Sequence, residues 1–353
     1  MRKSIFWLAA TVVAFASCTQ SEVLEVAENR AISFNMFVGK TTRAATEIVD
    51  PSAGSGTKLT NFYVFGRYGA SSGNTYDNVV YTNASVTVSS SSYTNVGPTG
   101  NTQYWVPGKK YAFAAYSDGN GQIQTTGSNA TVSFDSDGHI TISNYQAGTN
   151  DLILAIADKT TGNSIQSDPG AVSLTFNHLL SQVKFKFDCT AFPTGYKLAI
   201  SDLKIENVPN KATYSYATSA YGWTGITTGN VGMLNFSDIA EFDKANAQVS
   251  DANFVIPQSY TAGTNDNLTA TFKVTVKDNH GSEIVSGKSL ATNTLLVGSG
   301  NVSEWQAGYR YQYNIALTPT NVGGMYPIQF TVDKVNGWTD DADNSLSLAG
   351  NNP

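Results

Sequence analysis

The chain has 353 residues, with 21 Lys and Arg against 27 Asp and Glu, a net charge of −6 and a pI near 5.1. That balance provides no basic stripe to neutralise phosphates and argues against a nucleic-acid partner. Thr, Ser, Val, Tyr and Gly abound while long charged helix formers are few, so the composition predicts β structure, in a chain long enough for two domains.

The first seventeen residues read as an export leader. Met1-Arg2-Lys3 is a positive start, and Ile5 to Ala16 is an apolar core too short to span a bilayer. Phe15-Ala16-Ser17-Cys18 resembles a bacterial lipobox, with Phe15 standing where Leu is usual. Acylation of Cys18 makes an anchor, since each buried acyl CH₂ contributes about 0.8 kcal/mol. The bland alternative is a plain secretory leader with an incidental cysteine. With Cys18 carrying lipid, Cys189 has no disulfide partner and reads as a small residue in a strand.

Residues 19–30 are polar and read as a tether. In Ala31–Val38 the residues Ile32, Phe34, Met36 and Val38 point one way, with Ala31, Ser33, Asn35 and Phe37 on the other side. That period of two predicts a half-buried strand. Gly39–Gly56 reads as a loop. Short β runs follow at Asn61–Tyr68, Val79–Tyr81, Ser85–Val88, Tyr111–Tyr116, Thr131–Phe134, His139–Ile142 and Asp151–Ala157, spaced as in a sandwich. Asp135-Ser136-Asp137-Gly138 reads as a hairpin turn in preference to a fragment of a calcium loop, because the remaining ligand positions are missing.

Lys159–Gly170 is the expected domain boundary, and a second series of strands starts at Val172. It comprises Val172–Phe176, Gln182–Asp188, Tyr196–Val208, Ala212–Tyr216, Asn253–Ile256, Leu268–Val276, Tyr309–Leu317 and Ile328–Val335, with one helical turn expected at Ser237–Asp243. The expected division is therefore a leader at 1–17, a propeptide with a removable strand at 18–43, β-sandwiches at 44–170 and 171–335, and a polar tail at 336–353. The fold class is all-β.

Several motifs resemble those of the fimbrillins, the type V pilins of Bacteroidetes. They are Tyr104-Trp105-Val106-Pro107-Gly108 followed by Tyr111–Tyr116, the run Val172–Phe187, Phe254–Gln258, Trp305–Tyr313, and Ala31–Phe37 with Thr42-Arg43-Ala44. The resemblance implies two tandem transthyretin-like (Greek-key) sandwiches and an outer-membrane lipoprotein precursor. An arginine-specific maturation protease then cuts after Arg43, leaving Ala44 as the new N-terminus. Loss of Ile32, Phe34, Met36 and Val38 opens a groove, and subunits polymerise into a surface fimbrium by strand exchange, supporting adhesion. Arg30 is a second basic position, but a cut there does not release the strand. The candidate donor carries Ile328, Phe330, Val332 and Val335; its alternative role is a permanent last strand of the second half.

No nucleophile–base pair, P-loop, dinucleotide fingerprint or metal-ligand spacing stands out, and His139, His178 and His280 are isolated in sequence. The expectation is a non-enzyme without cofactors. A different class of function also fits: an uncleaved surface lipoprotein that binds a glycan or a host or bacterial surface ligand. Trp105, Tyr221 and Trp223 either stack on sugars or pack in the core or at its rim.

Overall fold

The computed structural model describes residues 31–39, 48–49, 57–119, 123, 130–163, 169–217, 220–226, 231–259, 268–296, 302–323, 330–336 and 345–346. The N-terminal half holds β1 (Phe34–Val38), β2 (Ile48–Val49), β3 (Thr57–Lys58), β4 (Asn61–Ala70), β5 (Asn78–Thr87), β6 (Lys109–Ser117), β7 (Thr131–Phe134), β8 (Ile140–Gln146) and β9 (Ile153–Thr160). Next come β10 (Val172–His178), β11 (Ser181–Asp188), β12 (Lys197–Pro209), β13 (Lys211–Ala217), β14 (Ala220–Thr224), β15 (Val231–Asn235), β16 (Ile239–Phe242), β17 (Gln248–Val249) and β18 (Asn253–Val255). The remainder are β19 (Gln258–Ser259), β20 (Thr269–Lys277), β21 (Glu283–Ala291), β22 (Glu304–Trp305), β23 (Tyr309–Ala316), β24 (Phe330–Asn336) and β25 (Ser345–Leu346). A single turn of helix at Pro319–Gly323 interrupts them.

The first large sheet runs β1-β10-β9-β6-β4-β5. Its centre is buried on both faces, as the continuous apolar run of β6 requires. Tyr111, Phe113 and Ala115 belong to one core cluster, while Ala112, Ala114 and Tyr116 belong to another on the opposite side. The second cluster is closed by the sheet β14-β13-β8-β7.

In the C-terminal half, the sheet β17-β11-β23-β24-β25, with β18 also on β11, faces the sheet β15-β12-β20-β21, with β16 on β12. Phe185, Phe187, Tyr311 and Tyr313 from one sheet meet Ile200, Ile205, Phe272 and Val274 from the other. The all-β reading matches this architecture.

Two pairings cut across the expected division at residue 170. β10 is antiparallel to β9 and parallel to β1, so it completes the N-terminal sheet, and the change of sheet falls between His178 and Ser181. Its Val172, Leu174 and Phe176 share a cluster with Phe34 and Phe62. A Pro/Gly/Ser-rich stretch marks a loop but does not tell whether the loop joins neighbouring strands or two domains. The β13–β14 hairpin also crosses, because β13 pairs with β8 at Ala212↔Tyr145 and Tyr216↔Ile140.

The helical turn expected at Ser237–Asp243 is instead β16, antiparallel to β12. A register shift between Leu198 and Ile200 lets Ile239 and Phe242, three residues apart, both bury themselves. Their spacing imitates a helix for that reason.

Candidate functional site

β1 shows the expected alternation. Ile32, Phe34, Met36 and Val38 are buried, whereas Phe37 is 58% exposed. One edge of β1 pairs in parallel with β10, from Phe34↔Val172 to Val38↔Phe176. The other edge meets an irregular segment: the amides of Ile32, Phe34 and Met36 donate to the carbonyls of Gln103 (2.7 Å), Val96 (2.7 Å) and Tyr93 (3.3 Å). Val96 N–H donates back to Phe34 (3.0 Å), and Asn95 N–H donates to the Asn35 side chain (2.8 Å). The strand is thus inlaid, with a regular wall on one side and a loop wall on the other.

Phe34 is the knob of this inlay. Its ring lies 5.5 Å from Phe113, 6.2 Å from Phe62 and 6.1 Å from Tyr81, the first two edge-on. Burial of the four inward side chains is worth roughly 6–12 kcal/mol as an upper bound, from about 1.5–3 kcal/mol each. Whole-domain stability is typically about 5–15 kcal/mol. The gross burial of one short strand is therefore of the same order as a whole domain's net stability.

The loop wall is fixed at its far end by a tight corner. Trp105 packs edge-on against Tyr111 at 4.7 Å, and Val106 N–H donates to the Tyr111 hydroxyl at 2.7 Å. Gly108, at φ +64°, makes the turn between them. The corner recurs two hundred positions later: Gln306 N–H donates to the Tyr311 hydroxyl at 2.9 Å, with Gly308 at φ +74° and Trp305 buried. Trp-x-x-Gly-x-x-Tyr is the sequence signal of this repeat, detectable once the two motifs are aligned. Trp105, at 3% exposed, is core and not a sugar platform.

Past β1 the chain is pinned again at Ile48. Its amide donates to Asp151 Oδ2 (3.1 Å), which also contacts His178 Nδ1 (2.7 Å), while Leu152 N–H takes Oδ1 (2.8 Å). Asp151 and His178 are both buried. Neither showed a pairing in sequence, being 27 residues apart. Sequence reasoning also missed the 93–104 wall, whose composition is that of any polar loop.

The remaining site residues divide as follows. Cys18, Arg30, Arg43, Ala44 and Ile328 lie outside the described residues. Phe330, Val332 and Val335 lie on β24, which is antiparallel to β23 from Ile315↔Phe330 to Tyr309↔Asn336; Val332 is buried in the C-terminal core. Cys189 is buried and its thiol is pushed up to about 11, chiefly by burial. Asp135 Oδ1 accepts the amides of Asp137 and His139, both at 2.9 Å, as a hairpin turn requires. Asp135, Asp137 and His139 also lie close enough together to share a cation, but they are solvent-facing groups with these turn bonds. No helix among the described residues is long and apolar enough to cross a membrane.

Known proteins are similar to this chain in sequence or in fold. Fimbrium subunit Fim1C of Phocaeicola vulgatus is 26% identical over an alignment covering 98% of this chain and 99% of its own. The crystal structure of a fimbrial protein from Bacteroides vulgatus is similar in fold, with a TM-score of 0.54 at 17% identity, over 88% of this chain and 100% of the other. Residues 42–334 match the model of the family described as fimbrillin-like, and the chain belongs to that family.

Proposed function

We propose that the chain is a structural subunit of a surface fimbrium, exported as a lipoprotein acylated at Cys18, cut after Arg43 and polymerised by strand exchange. The seat of β1 carries the proposal. A short parallel edge strand is inlaid between β10 and the 93–104 segment, and its inward side chains contribute about as much as a domain's net stability. Its removal uncovers an apolar groove and the free edge of β10, and such an edge pairs with a strand from another chain. Family membership and the likeness to Fim1C support assembly with other subunits at the cell surface, in a non-enzymatic role.

The finer organisation follows the same reading. The two sheet pairs are tandem transthyretin-like sandwiches, with the first one extended through β10. The donor is the segment at Ile328–Val335, whose period of two matches that of β1. Exchange then requires β24 to leave β23 and enter a neighbour's groove.

Limited digestion of the purified precursor with an arginine-specific protease tests this. N-terminal sequencing is expected to give Ala44, with SDS-resistant multimers appearing in step with cleavage and absent from Arg43→Ala. Cross-linking mass spectrometry of the multimers is expected to place the 328–335 segment against a neighbour's β10. A cleaved product that stays monomeric would overturn the polymerisation reading.

A further inference from the structure

The two sheets of the N-terminal half differ in width: the first has six strands and its cover β14-β13-β8-β7 has four. The cover ends over β9. Beyond it, on that face, β10 presents Ser173, Thr175 and Asn177 to solvent, one residue in two. Phe37, in register with Thr175, continues the same open face. The sheets part here around a cleft of about 670 Å³, within the range of about 300–1,000 Å³ typical of small-molecule sites.

Its roof is the β13–β14 hairpin, whose Tyr214↔Trp223 and Tyr216↔Tyr221 pairs put four aromatic rings on one face. Trp223 is held in place by its indole N–H, which donates to the Leu179 carbonyl at 2.9 Å, and by edge contact with Tyr214 at 5.4 Å. The rings of Tyr216 and Tyr221 lie nearly parallel, 27° apart with centroids at 6.2 Å, and Tyr221 overhangs the opening at 78% exposed. Among the described residues, no Asp, Glu, Lys or Arg lines the cleft. A fixed aromatic roof, an apolar floor at Leu154 and Ile156, and polar groups at Thr175, Asn177 and His178 suit a ligand with apolar C–H faces and hydroxyl edges.

We propose that this cleft binds a neutral oligosaccharide, stacked on Tyr221 and Trp223 and hydrogen-bonded to Thr175 and Asn177. An apolar peptide strand from another chain would set its side chains against Thr175 and Asn177, and among the described residues the lining offers acidic glycans or phosphates no Lys or Arg. The site is complete with β1 in place, so it does not depend on cleavage or polymerisation.

The uncleaved full-length chain is applied to an array of neutral, sialylated and sulfated oligosaccharides, and retained glycans are titrated by calorimetry. Neutral glycans are expected to bind and acidic ones not. Tyr221→Ala is expected to weaken binding about tenfold or more, as for loss of one aromatic anchor, with Tyr221→Phe close to the parent. Because Tyr221 is mostly solvent-exposed, its thermal midpoint serves as the folding control. Retention of acidic glycans alone, no retention of any neutral glycan, or unweakened binding by Tyr221→Ala overturns the proposal. So does self-association that Tyr221→Ala abolishes without any glycan being bound, which would assign the cleft to a second copy.

Discussion

β1 and β24 are both alternating strands near an edge of their sheets, and the structure holds them differently. β24 pairs antiparallel with β23 over seven consecutive residues, and β25 touches its outer side at only two positions. β1 pairs in parallel over five residues, and its outer side is closed by a loop instead of a strand. β24 therefore rests on a long ladder along one side, whereas β1 is bonded along both sides, by a short ladder and by a loop. A strand that leaves β1's seat must break both sets of bonds, and one that leaves β23 must first break its ladder.

The difference can be broken at its strongest point. Phe34→Ala empties the slot between Phe113, Phe62 and Tyr81, and is expected to cost about 3–5 kcal/mol in urea denaturation. A loss below about 1 kcal/mol would mean that β1 does not close the N-terminal half. Asp151→Ala removes the acceptor of Ile48, Leu152 and His178 together, and strands buried donors at about 1–3 kcal/mol each. A total of about 3 kcal/mol is expected, read as a lower denaturation midpoint and faster proteolysis just upstream of Ile48. Val332→Ala deletes two buried carbons from the C-terminal core and is expected to cost roughly 2 kcal/mol.

The smallest effect is a response of the C-terminal half to pH. Lys273 beside Asp202, Lys277 beside Glu241, and the turn amides around Asp278 hold these carboxyls below their ordinary values. A depressed folded-state value stabilises above the unfolded pKa and is lost as pH falls through the folded one. All three groups lie in the C-terminal half; Asp202 and Glu241 are solvent-exposed and Asp278 is partly buried. A modest loss of stability below about pH 4 is therefore expected, weaker still in high salt. Thermal midpoints from pH 7 to pH 3, with and without salt, measure it.

How much of this was legible depends on whether the information is local. The inward set of β1 and the Asp135 turn follow from residues two to four apart, and the structure places them as read. The partner of β1 does not: Phe34 and Val172 meet across 138 positions, and no local pattern specifies that pairing. The crossing of β13 to β8 is of the same kind. The Asp151–His178 contact, like the cleft under Tyr221, exists only once distant strands have been brought side by side. Ile239 and Phe242 misled because a bulge and a helix bury the same spacing.

The Asp151 carboxylate sets a geometric limit on a chain that begins at Ala44. Only four residues, 44–47, precede the pinned amide of Ile48, and they reach at most about 14 Å when extended. Under the proposed cleavage, the new amino group would be a positive charge within that reach of Ile48, whose amide shares Asp151 with His178 at the end of β10. Under the proposed exchange, an acidic or amide residue of the donor near that charge would be favoured, and this short leash would bear on the register of the arriving strand.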